Sequence, residues 1–205
     1  GNGFDERLFE HAIQSESKRS LVGEPYQSPK LQFALGLLYT GQLSRARATL
    51  GELLQLSTDL GRVRSIAGCH LHLIDLEVRA GNLEQADAHA AEFVHLDRQL
   101  RGKRSAEWYP SGIVAVHRGR TDEARRILVS AIDDSRRSTG STIWLAHQLW
   151  ALGHLELVLG NLGAAREALE PLPEMLRETG LGEWSVHPVH PDAIETLVEQ
   201  FGAQG

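Results

Sequence analysis

The chain's capacity for chemistry rests first on ten histidines and a single cysteine, Cys69. Imidazole titrates near neutrality and ligates metals, so the spacing of the histidines matters. His70 and His72 stand two apart and point to different faces of a helix. His147 and His154 share a face but lie seven residues apart, about 10 Å along the axis, too far to hold one ion unaided. His187 and His190 fall in a proline-broken stretch. No metal site follows from these spacings. Cys69 lies inside a helical pattern with no base assigned to it, so it reads as a small buried side chain. Carboxylate pairs such as Asp133-Asp134 read as solvated helix surface. The lysines are Lys18, Lys30 and Lys103, and no glycine-rich loop ends in Lys-Ser or Lys-Thr, so phosphate cradling is excluded. No Gly-x-Ser-x-Gly turn exists either. The residues specify no enzyme and call for no cofactor.

What positions these side chains is a repeat. A glycine followed five residues later by an alanine recurs at Gly41/Ala46, Gly81/Ala86, Gly119/Ala124 and Gly160/Ala165. Successive glycines are 40, 38 and 41 residues apart. A second glycine follows each after 20 or 21 residues, at Gly61, Gly102, Gly140 and Gly180. Glycine reaches the left-handed conformation that ends a helix, so two stops per period mean two helices per period. The alanine is expected where paired helices approach most closely. Nine residues past the turn stand Leu50, Ala90, Leu128 and Leu169, and thirteen past it Leu54, Val94, Ile132 and Pro173. These make one apolar stripe on the second helix. On the first helix, Phe33, Leu73, Ser111 and Leu152 precede the turn by eight, followed by the mostly small Ala34, Ile74, Gly112 and Gly153.

The pattern predicts helices near 4–17, 28–40, 42–60, 62–80, 82–101, 104–118, 120–138, 141–159, 161–179 and 191–202. Ser28-Pro29 reads as an N-cap followed by proline at the first helical position. Pro110 should kink its helix or mark its beginning. The segment from Trp184 to Pro191 reads as an irregular entry to a last helix. The fold class is therefore all-α, a tetratricopeptide-like right-handed solenoid of antiparallel helix pairs with about ten helices. It is read as one domain over 1–205, with repeats near 28–61, 62–102, 103–140 and 141–180 and partial repeats at both ends. Gly1 in place of Met and those half-repeats read as a fragment of a longer protein. The net charge of −6, with Lys and Arg dispersed, argues against direct contact with nucleic acid. Apolar runs fall short of the roughly 20 residues that cross a bilayer. One cysteine and no leading secretory signal point to a cytoplasmic location.

Several stretches resemble the helical-repeat region of the large ATP-dependent LuxR-type transcriptional activators. They are Ser28-Pro29 through Gly41–Ala46, then His72–Asn82, then Gly153–Asn161, and the tail Gly180–Glu183 with Pro191–Glu195. The period is longer than the usual tetratricopeptide repeat, which requires longer helices. The resemblance implies that this segment sits between a nucleotide-binding switch domain and a DNA-binding domain, relaying the binding of an inducer or a protein. A stand-alone scaffold for peptides or partner helices is the other reading, and a mere spacer a third.

In stacked repeats the first helix of each pair lines the concave side. Positions thirteen, ten, six, three and two before the turn glycine should then face a groove. The second repeat supplies Gly68, Leu71, Asp75, Val78 and Arg79, and the third Ala106, Tyr109, Ile113, Val116 and His117. The fourth supplies His147, Trp150, His154, Leu157 and Val158, and the first contributes Tyr39. Tyr39, Asp75, Arg79, Tyr109, His117, His147, Trp150 and His154 are the expected binding residues. They suit a protein, a peptide or a small-molecule inducer with both apolar and polar parts.

Overall fold

A computed structural model describes residues 4–18, 25–101, 109–137 and 142–179. Ten α-helices occur among them: α1 (Glu6–Lys18), α2 (Pro29–Tyr39), α3 (Leu43–Asp59), α4 (Val63–Arg79), α5 (Leu83–Arg101), α6 (Tyr109–His117), α7 (Thr121–Arg137), α8 (Thr142–Val158), α9 (Leu162–Leu169) and α10 (Leu172–Thr179). One turn of 3-10 helix, Pro25–Gln27, precedes α2. No strand occurs among the described residues. The chain divides into two compact units, 1–105 and 106–205.

The turn glycines determine the helix ends. Gly41, Gly61, Gly81, Gly119 and Gly160 all have φ between 63° and 79°, a region that costs other residues steric strain. At Gly81 the glycine N–H bonds to the Val78 carbonyl and the Asn82 N–H reaches back to Glu77, the Schellman pattern. The same two bonds recur at the other four glycines. Asn82 then offers its own carbonyl to the Ala86 N–H, so one residue closes α4 and opens α5. Within the first unit α2 pairs with α3 and α4 with α5, and within the second α6 pairs with α7 and α8 with α9. Ser28 caps α2 as expected, its Oγ accepting the Leu31 N–H at 3.2 Å, with Pro29 in the first turn.

The repeat alanines Ala46, Ala86, Ala124 and Ala165 are all fully buried. The residues nine past each turn, Leu50, Ala90, Leu128 and Leu169, are buried as well, whereas Leu54 and Val94 are only half-buried and Pro173 is exposed. The partner positions seven before each turn interlock with them by size. A Cβ added to Gly112 would stand 2.6 Å from Leu128 Cδ2, and one on Gly153 2.5 Å from Leu169 Cγ. Where the second helix carries a small residue instead, Ala90, the first carries Ile74. Volume is thus kept to within one side-chain carbon across the pair while its distribution inverts. At the start of the first unit, α1 packs on α2. Phe4, Phe9 and Phe33 cluster with ring centroids 5.3–6.3 Å apart, and Gly36 leaves room for the Phe4 ring.

Two elements differ from the sequence expectation. The helix expected over 161–179 is broken at Glu170-Pro171 into α9 and α10. Proline has no N–H to donate, and its ring crowds the carbonyl of the residue four before it. The helix expected from 104 is described from Tyr109, with Pro110 in its first turn. The expected entry segment 184–191 and the last helix, 191–202, lie outside the described residues.

A buried ion pair joins successive repeats inside each unit. Glu77 of α4 accepts from Arg47 of α3 through both carboxylate oxygens, at 2.6 and 2.8 Å, and from the Asn82 side chain at 2.7 Å. Glu156 of α8 does the same with Arg125 of α7, at 2.6 and 2.9 Å, and with Asn161 at 2.7 Å. Both glutamates are almost inaccessible. Their arginine partners hold both carboxyls below the usual carboxylate range. Burial also lowers the pKa of His72, to about 4, which favours its neutral form.

Three outcomes are expected from this packing. Gly153→Ile should overpack its site, costing about 1–3 kcal/mol, and Leu169→Ala should leave a cavity costing about 2–5 kcal/mol. The double variant rebuilds the Ile74/Ala90 arrangement, so urea denaturation should show it well above the additive sum. Arg125→Met strands a buried carboxylate and should cost about 3–5 kcal/mol, whereas Arg125→Met with Glu156→Leu should recover most of that. The third outcome concerns acid. His72 has a lower pKa folded than unfolded, so its contribution is complete above about pH 6.5 and is lost as pH falls towards 4. Glu77 and Glu156 also have depressed values, and theirs is lost only at lower pH, through the folded carboxylate range. His72→Gln should therefore lessen the loss of stability between about pH 7 and pH 5 in urea titrations, the remainder belonging to His70, His89 and His117, while leaving the lower acid limb in place.

Candidate functional site

The first helices carry the expected binding residues, and the structure brings Tyr39, Asp75 and Arg79 together in the first unit and His117, Trp150 and His154 together in the second. In the first unit Tyr39 closes α2 and Arg79 closes α4. The Arg79 guanidinium lies 5.4 Å from the Tyr39 ring centroid, a cation–π contact. Arg79 Nε also donates to Asp75 Oδ1 at 3.0 Å, one helical turn back. Burial nonetheless raises the Asp75 carboxyl above its ordinary value, with Arg79 opposing the shift. Tyr39, Asp75 and Arg79 are therefore brought together as the offsets predicted. They form a short chain of aromatic face, cation and carboxylate, able to accept both apolar surface and hydrogen-bond donors.

In the second unit the equivalent positions hold different chemistry. His117 ends α6 at the place Tyr39 holds in α2, and His154 of α8 takes the place of Asp75. Their ring centroids are 6.0 Å apart. Trp150 stacks on His154 at 5.8 Å with the planes 21° apart. His147 lies one turn before Trp150, beside Trp144, at 5.5 Å. Burial, and then the neighbouring His154, lower the pKa of His117. Tyr109 begins α6, but its side chain lies outside the described residues.

The accessible strip is narrower than the offsets implied. Gly68, Ile113, Trp150 and Leu157 are buried, because packing between neighbouring helices consumes them. Ala106 lies outside the described residues. The strip narrows to Tyr39, Leu71, Asp75, Val78 and Arg79 in the first unit and to Val116, His117, His147 and His154 in the second, together with Val158, which is 68% exposed. Trp150 thus supports His154 from below more than it meets a ligand.

Sequence reasoning missed Trp144, three residues before His147. It also missed the six clamp residues Arg47, Glu77, Asn82, Arg125, Glu156 and Asn161. Their signal was present: Glu-x-x-x-Gly-Asn occurs twice, from Glu77 to Asn82 and from Glu156 to Asn161, each time with an arginine at the sixth position after the preceding turn glycine.

Beyond these clusters, the Nδ1 atoms of His70 on α4 and His89 on α5 are 3.0 Å apart. Burial lowers the pKa of each. No group of three or more His, Cys, Asp or Glu side chains gathers as a metal site among the described residues. Nor is any helix among them long and apolar enough to cross a membrane.

No protein-family model matches the chain, and no curated protein matches it. Among solved structures, it is similar to the nearly identical TPR-like repeats of a Podosopora anserina protein described as a putative kinesin light chain. That match has a TM-score of 0.55 at 15% identity and covers 86% of this chain and 87% of the other. At such identity the likeness speaks for the path of the backbone alone. With the glycine turns and paired helices described above, it establishes a tetratricopeptide-like helical-repeat fold for this chain.

Proposed function

We propose that this chain is a non-catalytic repeat scaffold that holds a polypeptide segment against the accessible positions of its first helices. One observation carries the reading. At equivalent places in two units the repeat frame presents partly exposed polar and aromatic side chains in contact with one another, Tyr39 with Arg79 and Asp75, and His117 with His154. Aromatic and guanidinium groups on rigid helices are among those that dominate binding energy at interfaces. The finer reading is that the scaffold belongs to a LuxR-type transcriptional regulator in the cytoplasm, where it relays binding of an inducer or a protein to nucleotide-binding and DNA-binding domains. The stretches Ser28–Ala46, His72–Asn82 and Gly153–Asn161 support it. The acidic balance fits a segment that leaves DNA contact to another domain.

Peptides selected against the purified chain from a displayed library test the scaffold reading. Single changes Tyr109→Ala, His117→Ala, His147→Ala and His154→Ala should each weaken selected peptides by up to roughly tenfold without lowering the thermal midpoint, and Tyr39→Ala should weaken them while also loosening the core it packs against. Trp150→Phe should act through His154 and weaken them less. Binding that ignores all of these, yet disappears with Arg126→Glu or Val129→Asp on α7, would assign recognition to the second helices and overturn the reading. For the finer reading, the gene should encode a phosphate loop upstream and a helix-turn-helix downstream of this segment. Their absence from the full-length sequence would remove it.

A further inference from the structure

Charge is not distributed evenly in the second unit. Its described second helices mix both signs, with Asp122, Glu123, Asp133 and Asp134 beside Arg125, Arg126, Arg136 and Arg137 on α7, and Glu167, Glu170, Glu174 and Glu178 beside Arg166 and Arg177 on α9 and α10 or between them. Its first helices α6 and α8 hold one carboxylate between them, Glu156, and that one is buried and consumed by Arg125 and Asn161. The turn that follows α6 adds Arg118 and Arg120. In a chain of net charge −6, α6, α8 and this turn present no exposed acid among their described residues, and they carry two arginines and three histidines, His117, His147 and His154. Exposed Val158 and half-buried Trp144 add apolar surface.

We propose that the face built on α6 and α8 around His117 and His154 docks a carboxylate-rich polypeptide segment, and holds it more tightly as the imidazoles gain protons. The inference rests on the scaffold reading and names the chemistry of the partner for this unit. Two protonated rings with centroids 6.0 Å apart repel one another. A carboxylate seated against both offsets that repulsion, so binding and protonation reinforce each other. His117, whose protonation burial and His154 disfavour in the empty protein, gains most from such a partner.

Several carboxylates on the helices packed nearby pair with arginines, Glu174 with Arg177 on α10 among them, while Glu167 on α9 and Glu178 on α10 are exposed. At the start of α7, Glu123 lies 3.5 Å from Arg120, and Asp122 lies 4.0 Å from Arg125, which is itself bound to Glu156. Beside α9, Arg166 and Glu170 pair with each other at 3.6 Å. The first unit lacks this arrangement, since Tyr39 stands where His117 does and Asp75, bonded to Arg79, stands where His154 does, so no pair of imidazoles meets there. Opposed charge at an interface steers association and rejects partners of the wrong sign.

Fluorescence anisotropy on the full chain tests the proposal. The probes are two short synthetic peptides, one of Asp, Leu and Ser and one with Lys in place of Asp. The acidic peptide should bind, tightening roughly tenfold between about pH 7.5 and pH 5.5. His117→Asn and His154→Asn should each flatten that dependence while thermal melts stay unchanged. His95→Asn, a change on α5, should leave it intact. Binding of the lysine peptide in place of the acidic one, at the same face, would overturn the charge inference and leave the scaffold reading standing. Failure of both peptides, while display-selected peptides still bind through the first helices, would have the same meaning. Competition by a duplex oligonucleotide would show a general anion surface and overturn the polypeptide assignment. Self-association in sedimentation, abolished by the same histidine changes, would give the face to a second copy and overturn it as well.

Discussion

The fold depends on a backbone constraint at five points: a residue after a helix must adopt positive φ. Gly41, Gly61, Gly81, Gly119 and Gly160 meet it, and in each case the next residue closes the Schellman bond. In the first-to-second-helix turns that same residue also receives the first hydrogen bond of the following helix. Sharing one residue between a C-terminal cap and an N-terminal start leaves almost no freedom in the turn. The rotational phase of the second helix is then fixed relative to the first, and a position counted from the glycine means the same place in every repeat. This is why an alanine at the fifth position is fully buried four times over, although the surrounding sequences differ.

Side chains add a longer period to that backbone repeat. The Arg-Glu-Asn clamp joins α3 to α4 and α7 to α8, so its members recur at every second repeat. Between the second and third repeats the same two positions hold Asp87 and Ala115, so the clamp cannot form there. A buried ion pair is weak evidence for net stability, because desolvation of two charges offsets their attraction. Its effect here is directional. The bidentate guanidinium fork and the asparagine amide converge on one carboxylate, an arrangement that a helix displaced by one turn could not make.

Much of this was legible in the sequence because the signals are local. Helix ends, the Ser28 cap and the buried alanines follow from residues close to a glycine or a proline. The break at Glu170-Pro171 is equally local, and the periodic apolar pattern through Leu169, Leu172 and Met175 masked it. The clamps were harder to see, since Arg47 and Glu77 stand on different helices and each alone looks like solvated surface. The placement of the candidate residues was legible for Tyr39, Asp75 and Arg79, which meet in the first unit, and for His117 and His154, which meet in the second. It was not legible at Trp150 and Leu157. Whether those two face solvent depends on how closely neighbouring helices pack, and the pairwise volume of side chains such as Gly153 and Leu169 decides that.

The same frame therefore carries two kinds of surface at equivalent places. Tyr39 and His117 occupy one position, Asp75 and His154 another, and the backbone bonds around the turns do not change between them. Core positions in the two units trade volume and keep their sum to within one side-chain carbon, as Ile74/Ala90 and Gly153/Leu169 do. The partly exposed positions show no such compensation: they trade a carboxylate for an imidazole, a change that packing neither demands nor resists. Surface chemistry in each unit is set apart from the folding problem, and a repeat whose turns fix every phase is the structure that allows it.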